Sequence, residues 1–251
     1  MTAAALPQLY AAGESHVGCV RHHNEDNFFY ISLYPGYLLA AVADGVGGHV
    51  GGEMASYLCC HRLMLDWKKI FNTQCEFTDA ALAKWLAESI QRANRDIYSA
   101  NGDQKNSMPM CTTLAAAVFT PDMVIVAHIG DSRVYCCSNN KCWQLTVDHT
   151  LQNELSERGD VAAGNLPGSH IISRAVGAGR KLKIEMHSYF RHPGERYLLC
   201  SDGLINCWSE HEICQVLSSA ETPGRANDFF IRGTLRRGAA DNVTVLSVFP
   251  E

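Results

Sequence analysis

The amino-acid sequence predicts an α+β fold in which antiparallel sheets carry helices on their outer faces. Three observations lead there. β-rich runs are joined by turns too short for a crossover helix. Helical periodicity is confined to one central pair of segments and one C-terminal pair. Strand and helix nowhere alternate regularly, as a parallel doubly wound sheet requires. The 251 residues, 47% of them hydrophobic and 19% charged, can bury a large core, which excludes a disordered, collagen-like or coiled-coil chain.

Phe28–Leu33 and Tyr37–Ala43 are β-rich runs split by Tyr34-Pro35-Gly36, a hairpin-like break. From Glu53 to Ile70 the apolar residues Ala55, Leu58, Cys59, Leu63 and Trp67 recur at helical spacing. A second helix starts after Thr78, whose hydroxyl can cap it, and runs to about Tyr98. Cys111–Phe119, Val124–Ile129 and Arg133–Cys137 follow as strands, with turns at Pro121-Asp122 and Ser138-Asn139-Asn140. Met186–Phe190, Tyr197–Cys200 and Val243–Phe249 supply more strand, and Glu210–Ser219 and Arg225–Arg236 are amphipathic helices. No linker, repeat or low-complexity tract divides the chain, so residues 1–251 read as a single domain. Its least regular part, 150–172, carries Gly159, Gly164, Pro167 and Gly168 among polar residues. A long excursion of that kind is either a surface connection or a functional loop.

Charge and cysteine usage narrow the function. With 21 basic against 26 acidic side chains, the net charge of −5 argues against nucleic acid or an acidic membrane as partner. Runs such as Leu38–Ala43 and Leu114–Phe119 are far too short to cross a bilayer. Met1–Tyr10 lacks the basic start and long apolar core of a signal peptide, so a cytoplasmic monomer is expected. The eleven cysteines are odd in number, include the adjacent pairs Cys59-Cys60 and Cys136-Cys137, and sit mostly in apolar runs. They read as reduced, buried thiols rather than a disulfide framework. Cys136, Cys137 and Cys142 have no second pair at zinc-ligand spacing.

The informative residues are carboxylates at strand ends. Asp44 follows Leu38–Ala43 and precedes Gly45-Val46-Gly47-Gly48. Asp202 follows Tyr197–Cys200 and precedes Gly203, Asp131 follows Val124–Ile129 and Gly130, and Asp241 precedes the last strand. A single Asp-Gly is most simply a turn. Four such strand-end carboxylates, with Glu25-Asp26 near the first strand, would crowd like charges at high cost if the strands converge, unless cations neutralise them. Oxygen ligands select hard cations such as Mg²⁺ or Mn²⁺, and paired ions form the usual clamp for hydrolysing phosphate esters. The pattern therefore points to a binuclear metal phosphohydrolase.

At this point the chain resembles the metal-dependent protein phosphatases, the PPM or protein phosphatase 2C type, in their bacterial branch. The resemblance is carried by Gly18-x-x-Arg21-x-x-Asn24-Glu25-Asp26-Asn27, by Asp44-Gly45-Val46-Gly47-Gly48-His49 with Gly52-Glu53-x-Ala55-Ser56, and by Thr112-Thr113. Gly130-Asp131-Ser132-Arg133, Leu145-Thr146-x-Asp148-His149 and Ser173-Arg174-Ala175-Val176-Gly177 continue it. Ser201-Asp202-Gly203-Leu204 and Asp241-Asn242-x-Thr244 complete a set in the family's order. It implies an αββα four-layer sandwich, two antiparallel sheets flanked by helices, with 150–172 as a flap bordering the substrate entrance.

The resemblance also implies roles. Asp44, Asp202 and Asp241 are the expected catalytic metal ligands, Asp44 bridging two Mn²⁺ or Mg²⁺ ions, with the Gly45 carbonyl adding a ligand and Glu25 acting through water. Asp131 with Asp202 resembles a third-metal site. The ions would activate a water that attacks phosphorus directly, so no cysteine nucleophile is needed. Arg21 resembles the phosphate-binding arginine, and its four-residue offset from Glu25 fits one face of a strand. Arg133 and Arg174 are assigned to internal ion pairs, while His49, Asp148 and His149 receive no role. Val46 stands where some relatives carry a histidine proposed as general acid, which leaves protonation of the leaving group to water or another residue. Cys111 replaces the glycine usual before the paired threonines. The implied activity is hydrolysis of phosphoserine and phosphothreonine in phosphoproteins, those of a Ser/Thr kinase. The alternative is a non-catalytic pseudophosphatase that binds partners through the same fold, against which the intact Asp44, Asp202 and Asp241 weigh.

Overall fold

Strand β3, Tyr37–Val46, is buried on both faces, and its alternation sends the two faces to different cores. Leu39, Ala41 and Ala43 pack under helices α1, Val50–Ile70, and α2, Asp79–Ala100. Leu38, Ala40 and Val42 face the other way, into a core shared with a second sheet. That single strand defines three of the four layers of the computed structural model, which describes residues 8–46, 50–70, 77–102, 109–157 and 171–250.

The first sheet runs β2 (Asp26–Tyr34), β3, β5 (Leu114–Phe119), β6 (Met123–Ile129) and β9 (Glu185–Phe190), with the short β4 (Cys111–Thr112) also pairing β3. The second runs β1 (Leu9–His16), β11 (Val243–Pro250), β10 (Arg196–Cys200), β7 (Arg133–Ser138) and β8 (Lys141–Gln144). Every pairing is antiparallel. On the second sheet's outer face Tyr135, Leu198, Cys200, Val243 and Val245 pack against α4 (Asp202–Ile205), α5 (Glu210–Ser219) and α6 (Pro223–Arg236). The result is the expected αββα sandwich. A further short helix, α3 (Leu151–Glu157), opens the flap-like segment, and residues 158–170 of that expected flap lie outside the described residues.

Local chemistry explains the helix bounds. Leu82, Leu86, Ile90, Ala93 and Ile97 are fully buried at helical spacing along α2, and truncating one such leucine to alanine costs about 2–5 kcal/mol. Thr78 caps α2 as expected, its hydroxyl accepting from the Ala81 amide at 3.2 Å. Ser209 and Glu212 close a reciprocal capping box on α5, and Thr222 followed by Pro223 starts α6.

Two strands were not expected. β1 has few β-branched residues, yet it pairs with β11 over its whole length, Leu9 opposite Pro250 through His16 opposite Val243. β8 is four residues long and is set by the turn before it, where Asn139 and Asn140 take φ of 51° and 58°. That hairpin also corrects the reading of all cysteines as reduced thiols. Cys137 and Cys142 face each other across β7 and β8 with Cα atoms 4.2 Å apart and form a disulfide. Without β8 in view, the sequence held no sign that the two were opposite. The other described cysteines are free thiols. Among the described residues no helix is long and apolar enough to cross a membrane.

Candidate metal centre

The face of β3 that carries Leu38, Ala40 and Val42 into the inter-sheet core carries Asp44 to the end of that core. Asp26 sits directly opposite Asp44 in the β2–β3 register. From the second sheet, Tyr197 and Leu199 of β10 and Leu246 and Val248 of β11 lie in the same core, so Ser201 and Thr244 emerge at the same end. There the two sheets are stitched together. The Ser201 and Thr244 hydroxyls each donate to Asp26 Oδ2 at 2.7 Å, and the Thr244 amide donates to Ser201 Oγ at 3.0 Å. Asp202, immediately after Ser201, begins α4, and Asp241 precedes β11.

The expected residues Asp44, Asp131, Asp202 and Asp241 thus converge, and they repel one another. Burial raises the Asp44 carboxyl well above its ordinary pKa, and the charges of Asp26, Asp202, Asp131 and Asp241 push it further. Burial likewise lifts Asp131 to about 7, aided by Asp202 and Asp148. Asp26 is pushed up to about 6, mainly by burial, against the pull of its two hydroxyl donors. Asp202 is raised by burial and by Asp241. Two buried acceptors, Asp26 Oδ1 and Asp202 Oδ1, have no hydrogen-bond donor. Crowded carboxylates with bare oxygens are costly alone and well matched to divalent cations, so the donor set fits Mg²⁺ or Mn²⁺.

The backbone around the acids is held tightly. The Thr112 hydroxyl and the Thr113 amide both donate to the Asp44 carbonyl at 2.8 Å, and the Asp44 amide donates to Thr113 Oγ1 at 3.0 Å. Cys111 is accommodated without disturbing this clamp, since β4 pairs it with Val46. Gly45 packs so closely that a Cβ would lie 2.2 Å from the Gly52 carbonyl oxygen, and one on Gly52 would lie 1.9 Å from Glu25 Oε2. These approaches pack the Gly45 backbone, Gly52 and the Glu25 side chain against one another.

Asn242, in the Asp241-Asn242-x-Thr244 motif, has a structural task. Its side chain donates to the carbonyls of Val17 and His23, both at 2.9 Å, and accepts from the Glu25 amide at 2.8 Å. It fastens the loop that bears Arg21 and Glu25. The tasks of Asp26, Ser201 and Thr244 are not legible in the sequence, because a buried hydroxyl–carboxylate network between two sheets has no sequence spacing of its own.

One expectation needs correction. Arg21 and Glu25 do not share a strand face, because β2 begins at Asp26 and both precede it in a loop. Arg21 reaches the cluster by another route: its guanidinium is 2.8 Å from Asp241 Oδ2 and largely exposed. The arginine is therefore at the site, but the loop and Asp241 place it there rather than strand periodicity.

Arg133 and Arg174 form the expected internal ion pairs. Arg133 grips both oxygens of Asp148, with Nε at 2.9 Å from Oδ1 and Nη2 at 2.6 Å from Oδ2. Arg174 lies 3.3 Å from Glu154 and 3.8 Å from Glu185. His128, His149 and Glu185 come within 4.8 Å of one another, a spacing that would suit an ion. Hydrogen bonding argues otherwise. The Gly130 amide donates to His149 Nδ1 at 3.1 Å, so the ring proton sits on Nε2 and is given to Glu185 Oε2, also at 3.1 Å. His149 has no lone pair left for a metal. His49 lies outside the described residues.

The geometry has counterparts. The model of the family described as protein phosphatase 2C matches residues 12–236. A serine/threonine phosphatase stp of Listeria monocytogenes is 35% identical over 96% of this chain and 95% of its own length. The Streptococcus agalactiae serine/threonine phosphatase structure superposes with a TM-score of 0.87 at 30% identity, covering 97% of this chain and all of that one. The catalytic domain of the serine/threonine protein phosphatase PstP, solved in complex with two manganese ions, superposes at 0.81 with 30% identity over 97% of this chain and 99% of its own. Carboxylate cluster, sandwich and likeness agree: the chain belongs to the protein phosphatase 2C family.

Proposed function

We propose that this chain is a serine/threonine protein phosphatase that uses two Mn²⁺ or Mg²⁺ ions to hydrolyse phosphoserine and phosphothreonine in phosphoproteins. The observation that carries the reading is the convergence of Asp44, Asp131, Asp202 and Asp241 on one partly buried point with bare acceptor oxygens and too little positive charge. Asp44, the Gly45 carbonyl, Asp202 and Asp241 would hold the two ions, Glu25 would act through water, and Asp131 with Asp202 would serve a third. Bound there, the ions supply Lewis acidity toward the phosphate and the attacking water.

The chain's own residues do the rest. The guanidinium of Arg21, beside Asp241, is placed to meet two phosphate oxygens at once and so to orient the ester. Thr112 and Thr113 fix the Asp44 backbone, and Asn242 fixes the Arg21–Glu25 loop, so neither has to be ordered when substrate arrives. Substrates would be those of a Ser/Thr kinase, residues 1–251 would act as one catalytic domain, and the segment 150–172 would border the entrance. The names of the Listeria and Mycobacterium relatives support the substrate class.

The test is hydrolysis of a phosphoserine peptide. Activity is expected to vanish with a chelator, return with Mn²⁺, and be absent from Asp202→Asn under all conditions. Tight peptide binding without turnover, in the presence of Mn²⁺, would favour the partner-binding alternative instead.

A further inference from the structure

Beside the carboxylate cluster the surface opens into a groove that none of the roles above uses. Asn27 on β2 and Glu53, Met54 and Tyr57 on α1 line a space of about 220 Å³, room for one long side chain. Two of its walls are apolar and open to solvent, Met54 at 44% and Tyr57 at 49% exposure. The Tyr57 ring is stacked on His61 with centroids 5.4 Å apart, which holds it in place without covering it.

Two residues of the groove are chain neighbours of the metal end. Alternation along β2 turns Asp26 to the cluster and Asn27 to the opposite face, where Phe29 and Ile31 pack toward α1. On the other wall Glu53 follows Gly52, which packs so closely on the Glu25 carboxylate that a Cβ there would lie 1.9 Å from Oε2. A substrate whose phosphate lies at the cluster would therefore carry a neighbouring residue, within about three positions at 3.3–3.6 Å each, across this groove. An exposed carboxylate above a methionine and a stacked tyrosine suits one chemistry. A lysine or arginine can lay its aliphatic stem on Met54 and the Tyr57 ring and bring its charge to Glu53. An acidic side chain would meet Glu53 as a like charge.

We propose that Asn27, Glu53, Met54 and Tyr57 form a subsite for a basic side chain flanking the phosphorylated residue, with Glu53 as the residue that sets the preference. The subsite rests on the phosphatase reading above and extends it to substrate selection.

Phosphoserine peptides in an alanine background, with a single lysine or glutamate moved through the positions around the phosphate, test it with the full chain and Mn²⁺. At one position lysine should exceed glutamate in kcat/KM by about 3- to 10-fold, the size of an exposed ion pair joined by a cation–π contact. Glu53→Lys should invert the preference at that position and leave the other positions as they were, and Tyr57→Ala should reduce it. Equal use of lysine and glutamate at every position, or a preference that Glu53→Lys does not change, overturns the subsite. Hydrolysis of a small phosphate ester by the unmodified chain separates the two readings. If that ester is cleaved while the peptides show no charge preference, the subsite alone fails. If it is not cleaved, the phosphatase reading fails and takes the subsite with it.

Discussion

At the mouth of the sandwich, Asp26, Asp44, Asp131, Asp202 and Asp241 face one another with Arg21 at the rim. A short way along the same sheets, Arg133 clasps Asp148, and His149 joins the Gly130 backbone to Glu185, which Arg174 also approaches. Both regions bury several ionisable groups. In the second, opposite charges are matched, and its loose ends, His128 Nδ1 and Arg174 Nη1, are not like charges in conflict. In the first, the charges share a sign and the bare atoms are carboxylate oxygens. A cluster that satisfies itself holds a fold together. One that cannot do so is matched to something positive, and here that separates the candidate metal centre from the scaffold beside it.

The contrast breaks most sharply under paired substitutions. Asp44→Asn should reduce kcat on a small ester by at least ~10²–10³-fold, the scale of losing one electrostatic contact to the reacting group, while chemical denaturation in chelator finds the fold no less stable, since a repulsive charge has gone. If the chelated variant were markedly less stable than the unmodified chain, the cluster would be structural after all.

Asp148→Ala should do the reverse. It strands the Arg133 guanidinium and should cost about 3 kcal/mol of stability in denaturant melts. Turnover per folded molecule should change much less than in Asp44→Asn.

Arg21→Ala probes the boundary between the regions, because this arginine is paired yet exposed. A loss of about 2–3 kcal/mol in transition-state binding, roughly 30- to 150-fold in kcat/KM on a phosphopeptide, is expected, with partial recovery in Arg21→Lys. Unchanged kcat/KM would leave the arginine as a surface partner of Asp241.

The smallest effect belongs to the matched region. Burial lowers the pKa of His149 despite the Glu185 hydrogen bond, so the folded protein disfavours its protonation. The unfolded chain then binds the extra proton, and stability should fall as pH drops below the ordinary histidine range near 6.5, by at most about 1.4 kcal/mol per pH unit. His149→Gln should flatten that part of the stability–pH curve. An unaltered slope would assign it to other groups.

Several features were legible in the residues alone. The strand–turn–strand rhythm of Phe28–Ala43, the α2 periodicity with its Thr78 cap, and the carboxylates after apolar runs are all local patterns. Asp44, Asp131, Asp202 and Asp241 were visible because each ends or begins a strand, the first three beside a glycine. Opaque were β1 and β8, whose strand character comes from partners far along the chain or from a turn. The same holds for the disulfide, which needed the β7–β8 register, and for Arg21, whose loop follows no period.

The order of residues along the chain set which side chains are apolar at which spacing, and hence most of the elements and the supply of strand-end acids. Folding alone brought Asp26 of one sheet to Ser201 and Thr244 of the other, tied down the Glu25 loop with Asn242, and gave Asp148 an arginine while Asp44 found other carboxylates. The reason is physical. Periodicity is a property of neighbours along the chain, whereas the cost of a buried charge depends on what lies across the gap between two sheets, and no spacing in the sequence encodes that distance.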